Sequence, residues 1–165
     1  MKTSVLAKLL NVSGILTVTG FSLSLGSIVS FIAMNIIAGE TPTTEFWYWQ
    51  RKFVSAITNY VTLPGIWLFF LGNTSWFLVL GKERKKINYI LVILPVLTIL
   101  NAYMIIVPVA KKVNKAAVQQ IQLPGFIKDF TFNKSIEDIS GGINMLFLLS
   151  FLAVYFINRY RYNKS

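Results

Sequence analysis

FVSAITNYVTLPGIWLFFLGNTSWFLVL, residues 53–80, carries no charged side chain and is long enough to cross a bilayer as one helix. Such a helix needs about 20 mainly apolar residues to span about 30 Å of hydrocarbon. A barrel strand would instead run about 10 residues with alternating polarity. Working outward, three further stretches qualify: residues 12–38 and 87–110, both uncharged, and the shorter 139–157, which opens around the helix-weakening pair Gly141–Gly142. The pattern predicts an all-α integral membrane four-helix bundle, one transmembrane domain over 1–165, with an outer loop at 111–138.

Composition agrees. Of 165 residues, 55% are hydrophobic and 13% charged, where a soluble domain carries about 45–50% and about 25%. The mean hydropathy of +0.61 excludes a disordered chain. Sixteen Lys and Arg against six Asp and Glu leave +10, with no His and no Cys. Imidazole bases, thiolate nucleophiles, His or Cys metal sites and disulfides are thereby excluded. Lys2 and Lys8 ahead of an apolar run imitate a signal peptide. The run exceeds a signal core of about 7–15 residues, and no small-x-small site closes it, so it reads as an uncleaved first span.

Lys and Arg in short loops set orientation. The link GKERKK between spans two and three holds Lys82, Arg84, Lys85 and Lys86; the N-terminus holds Lys2 and Lys8, the C-terminal tail Arg159, Arg161 and Lys164. An even number of spans puts all three on one side, read as the cytoplasm of a cell bounded by its inner (plasma) membrane. The loop at 39–52 balances Glu40 and Glu45 with Arg51 and Lys52, which suits the outside; the Lys-rich start of 111–138 opposes this orientation. Trp47, Tyr48 and Trp49 read as an interfacial anchor, and Tyr89, Tyr155, Tyr160, Tyr162 and Trp76 as the opposite belt. The basic surplus sits beside spans, where anionic headgroups favour each charge by about 1 kcal/mol. Lys82, Arg84, Lys85 and Lys86 are therefore headgroup-facing, and nucleic acid is not an expected partner. A Lys-, Asn- and Ile-rich makeup suits a bacterium with an AT-rich genome.

No ionisable residue falls mid-span, which argues against a proton relay or voltage sensor. Ser22, Gly26 and Ser30 recur on one face of span one, with Gly20 and Ser24 beside them, and small residues permit close helix approach. They read as a packing face for a second copy or a membrane partner. Pro64 and Pro95 free the carbonyls of Tyr60 and Leu91; Asn59 and Thr62 stand near the first, Thr98 and Asn101 after the second. Asn59, Thr62, Pro64, Asn73, Asn101 and Tyr103 either frame a polar pocket between kinked helices or simply pack. In the 111–138 loop, KKVNKAAVQQIQL reads as a short surface helix with Val113, Ala117 and Ile121 on one face, broken at Pro124–Gly125. Ser135, followed by Glu137 and Asp138, reads as the next helix start.

Phosphate-binding, dinucleotide and esterase motifs are absent, and no cofactor is expected. KLLNVSGILTVTG and QRKFVSAITNYVTLPGIWLFFLGN together resemble a diffuse superfamily of bacterial membrane proteins of four to six spans. It includes the copper-resistance D family and HemJ-type protoporphyrinogen oxidases. Thr62, Pro64, Gly65 and Gly72 match its kink, and Arg51 the preceding base. The resemblance implies haem or copper ligation by a His in span one, but Asn11 stands there in this chain. Met34, Met104 and Met145, the remaining soft groups, read as apolar filler. Two functions follow as expectations: a non-enzymatic structural or accessory component acting through the Ser22 face, or a binding, transport, porphyrin- or quinone-handling protein using the polar pocket.

Overall fold

A computed structural model describes residues 2–39, 43–80, 86–119 and 126–162. The described residues form helices and no strand. Helix α1 spans Lys2–Ala38 and α2 Thr44–Ile57; a π-helical turn, Thr58–Thr62, joins α2 to α3, Leu63–Leu80. Helix α4, Lys86–Asn101, continues through a second π turn, Ala102–Ile106, into α5, Val107–Gln119, and α6 runs Phe126–Tyr162. The result is four rods: α1, α2–α3, α4–α5 and α6. Each contains a stretch long and apolar enough to cross a membrane: Val5–Ala38, Glu45–Leu80, Ile87–Ala117 and Lys128–Asn158. This is an all-α four-helix bundle and a multi-pass membrane protein.

The distribution of polarity explains why. Ile15, Val18, Ile36, Ile37, Leu78, Met104 and Leu146 point outward, while Ser13, Ser24, Asn73, Thr98, Asn101 and Asn144 are buried. Water would penalise that arrangement; hydrocarbon favours it, because apolar side chains face lipid while the polar groups are packed inside, bonded to carbonyls of their own helix or, for Asn101 and Asn144, to each other. At 1.5 Å per residue the 37 residues of α6 are about 55 Å long, so the rods overrun a hydrocarbon core of about 30 Å.

The overrun corrects the expected loop at 111–138. Helix α5 continues to Gln119 and α6 already begins at Phe126, residues 120–125 lying outside the described set. Val113 and Ala117 turn inward onto Phe130 and Trp47 rather than onto a membrane surface. Phe130 and Trp47 pack with ring centroids 5.0 Å apart, which holds these ends together and lets α6 start early. Ser135 is accordingly inside a helix, its hydroxyl donating to the Thr131 carbonyl at 2.9 Å. Ile121 and the GKERKK charges Lys82, Arg84 and Lys85 lie outside the described residues; Lys86 opens α4.

Helices α1 and α3 cross almost backbone to backbone. A Cβ on Gly20 would fall 2.5 Å from the Gly65 carbonyl oxygen and clash with the Phe69 amide; one on Gly72 would meet the Thr17 amide at 2.5 Å. Ser13, Thr17, Gly20 and Ser24 thus form the seam, with Thr17 and Ser24 hydroxyls turned back onto their own helix carbonyls at 2.8 Å. Behind it Phe69, Leu91, Leu148 and Phe151 close the core, the two rings edge-on at 4.6 Å.

Candidate functional site

Asn35 of α1, Gln50 and Arg51 of α2, and Lys134, Glu137 and Asp138 of α6 join three of the four rods through a polar collar. Gln50 Nε2 donates to Asn35 Oδ1 at 2.8 Å, and Asn35 Nδ2 to Asp138 Oδ1 at 3.5 Å. Lys134 pairs with Asp138 at 2.7 Å and lies over the Trp47 ring at 5.4 Å. At the centre, Arg51 Nη1 meets Glu137 Oε2 at 2.5 Å, with side chains 1% and 5% exposed. Arg51 also lies 5.6 Å from the Phe31 ring centre, where the negative ring face favours a guanidinium. Helical geometry makes the collar: Arg51 lies one turn beyond Trp47, the first of the aromatic run Trp47–Trp49, and the early start of α6 lowers Glu137 into the bundle. A pair buried this deeply has lost most of its hydration, so each partner depends on the other.

Below the collar, on the bundle side, is a cavity of about 400 Å³ between α1, the α2–α3 rod and α6. Ile28, Phe31 and Val54 give it apolar walls; Asn35, Glu137 and Asp138 form its polar end. Two features open it. Gly141 and Gly142 line it, and a Cβ on either would meet no atom within 4 Å. The π turns widen the opposite wall, placing Thr58, Thr62 and Ile106 against it. Each turn precedes a proline: Leu63 donates to the Thr58 carbonyl ahead of Pro64, and Val107 to the Ala102 carbonyl ahead of Pro108. A proline cannot donate to the carbonyl four residues back, and a five-residue hydrogen bond absorbs the mismatch. The bulge falls at Pro108, whereas α4 runs through the buried Pro95, with Thr98 donating to the Leu94 carbonyl at 2.9 Å.

A second cavity, about 60 Å³, lies across the ion pair between α2 and α5. Arg51, Thr58, Asn59, Lys111 and Asn114 are among its lining residues. Glu137 lines the large cavity and Arg51 the small one, so their pair forms part of the partition, with Val54 and Thr58 lining both.

The pocket expected from sequence is not assembled. Thr62 lines the large cavity but turns its hydroxyl onto the Ile57 carbonyl at 3.3 Å, and Asn59 is exposed, donating to the Ser55 carbonyl at 2.8 Å. Neither serves the Tyr60 carbonyl. Pro64 is exposed; Asn73 is buried against its own helix, donating to the Phe69 carbonyl at 2.9 Å. Asn101 ties α4 to α6 through Ser140 O and Asn144 Oδ1, both at 2.8 Å. Tyr103 is exposed, accepting from Trp67 Nε1 at 2.9 Å. Asn59 and Asn73 are satisfied on their own helix and Asn101 across to α6, so the amides do not converge. The face of Ser22, Gly26 and Ser30 is exposed, and a Cβ on Gly26 meets nothing within 4 Å, so the internal seam runs along the adjacent Gly20 stripe.

From sequence, Arg51 and Lys134 read as loop charges, and Glu137 and Asp138 as the first turn of a helix at the end of a loop. Their signal was the helical spacing of Phe126, Ile127 and Phe130, which extends α6 upstream and carries Glu137 and Asp138 inside. No family model, curated protein or solved structure matches this chain, and the site stands on its own geometry.

Proposed function

We propose that this membrane protein binds a small amphipathic molecule in the large cavity, apolar body against Ile28, Phe31 and Val54 and polar end at the collar. The observation that carries the reading is a cavity of about 400 Å³ kept open by Gly141 and Gly142. That volume is within the range of small-molecule sites, about 300–1,000 Å³, and so is the ratio of apolar wall to a few placed polar groups. Glu137 and Asp138 already face Arg51 and Lys134, so the polar end offers bonding capacity with little net charge. A ligand with hydroxyl, amide or zwitterionic character suits it better than a bare ion. The Phe69–Leu91–Leu148–Phe151 cluster fills the other half of the bundle, which favours holding a ligand over passing it through.

Native mass spectrometry of the protein extracted from its own membranes tests the reading. A discrete small-molecule adduct is expected on the wild type and its loss on Gly141→Leu, which fills the cavity. An equal adduct on both, or none on the wild type, sinks it.

A second reading has its own support. The uncovered Ser22, Gly26, Ser30 face offers a second copy or a membrane partner a close approach, as an accessory component would use. Self-association unchanged by Ser22→Leu with Gly26→Leu would reject it. The proposal also carries an address: a bacterial plasma membrane, collar outside and termini cytoplasmic, supported by the Lys and Arg of residues 82–86. A reporter fused after Ser165 should be cytoplasmic. Kinship with the copper-resistance D and HemJ-type superfamily belongs to the proposal too, supported by Arg51 and Thr62 at the cavity walls and by the π turn that precedes Pro64–Gly65.

A further inference from the structure

The small cavity has a feature that the large one does not explain. Arg51 is 1% exposed, and Glu137 engages only its Nη1. Its Nε and Nη2 are buried and bond to no protein atom. Those two nitrogens form the side-on edge of the guanidinium, whose parallel N–H groups match two oxygens of one anion. Leaving a buried charged donor unsatisfied is costly, so a built but unengaged fork points to a ligand. Arg51 lines the small cavity and does not line the large one.

The chemistry of the walls narrows the ligand. Lys111 lines the same cavity from an exposed position on α5, adding a second cation at its mouth. Arg51 is balanced by Glu137, so the net requirement is one negative charge opposite Lys111. A cavity needs about 10–15 Å³ to admit one water-sized atom, so about 60 Å³ suits a compact oxyanion and nothing much larger. Asn114 Oδ1, also buried without a hydrogen-bond partner, needs a donor, which a hydroxyl or water carried with the anion supplies. The height is that of the collar, within one turn of Trp47–Trp49, where aromatic anchors mark the headgroup layer.

We propose that the cavity between α2 and α5 binds a phosphate oxyanion, held side-on by Nε and Nη2 of Arg51 and faced by Lys111. A phosphodiester, with its single charge, balances the site; a lipid headgroup and free phosphate are the two sources of that chemistry. The occupant is separate from the ligand of the large cavity.

The full chain, delipidated in an uncharged detergent, is titrated with phosphatidylglycerol, with diacylglycerol of the same tails, and with inorganic phosphate. Adducts are followed by native mass spectrometry. Phosphatidylglycerol should bind at one site and diacylglycerol should not. Inorganic phosphate that binds while the lipid does not assigns the same site to free phosphate. Lys111→Gln should weaken binding about tenfold, the loss of one charge-assisted contact. Asn114→Asp puts a carboxylate in the cavity to occupy the fork, and should abolish binding without lowering the thermal midpoint. Gly141→Leu should leave it unchanged, which separates this site from the larger one. Equal binding of lipid and diacylglycerol, binding indifferent to both Lys111→Gln and Asn114→Asp, or no phosphate species bound at all would overturn the proposal.

Discussion

The two ends of the bundle solve the same packing problem in opposite ways. Toward one end α1 and α3 touch through glycines, with no room for a methyl group at Gly20 or Gly72, and aromatic rings close what remains. Toward the collar the helices part: glycines line open space, π turns push a wall outward, and charged groups replace hydrocarbon at the centre. The same residue type thus has contrary meanings. Gly20 exists so that backbones can meet, whereas Gly141 and Gly142 keep a volume unfilled. Close packing supplies rigidity where nothing is bound, and the opened end carries polar groups that a membrane protein retains only at a cost.

The largest test breaks the collar. Glu137→Ala leaves Arg51 buried without its counter-charge, and such a loss typically costs about 3–5 kcal/mol. Asp138→Ala, whose partner pair is partly exposed, should cost no more than about 1 kcal/mol. Equilibrium unfolding in mixed micelles measures both; equal effects would mean that the collar carries no special burial. Next comes the seam. Gly20→Val drives a branched side chain into the Gly65 carbonyl and Phe69 amide, and overpacking of this kind costs about 1–3 kcal/mol or more. Gly26→Val, nearly two turns along on the exposed face, should change stability by less than about 0.5 kcal/mol. Smaller again is Asn101→Leu, which removes two bonds from α4 to α6, at about 0.6 kcal/mol each in a membrane bundle.

Much of this fold was legible because hydrocarbon imposes one requirement on every helix. Four uncharged runs of sufficient length yield the bundle, and the T-x-P-G pattern marks the first bulge. Residues 111–138 were less legible. Their charges resemble a solvated loop, and only the spacing of Val113, Ala117 and Phe130 records that the helices continue and pack on each other. The candidate site was least legible, since α6 starts at Phe126 and so Lys134, Glu137 and Asp138 lie well inside a helix rather than at its mouth. Choosing between adjacent stripes of small residues on α1 was beyond sequence too. Ser22, Gly26 and Ser30 recur every fourth residue and the true seam of Ser13, Thr17, Gly20 and Ser24 every third or fourth, both helical spacings, and the partner glycines on α3 decide which stripe is inside.

The last effect, also small, is the most diagnostic, because its sign differs between the two ends. Glycine within a helix costs up to about 1 kcal/mol relative to alanine, through the entropy of the unfolded chain. Gly141 has no positive φ to excuse it, as Gly39 alone of the described residues has one. A methyl placed on it meets no atom within 4 Å. Gly141→Ala should therefore stabilise the protein by about 0.5–1 kcal/mol, as a rise in unfolding midpoint, while narrowing the large cavity and weakening whatever binds there. Gly20→Ala should do the reverse, since its methyl meets backbone that has no freedom to withdraw. If Gly141→Ala were destabilising instead, the space beside it would already be filled in the working protein by a neighbouring helix. The opened end would then be an interface for packing, and the contrast between the two ends would reduce to one seam inside the bundle and another between subunits.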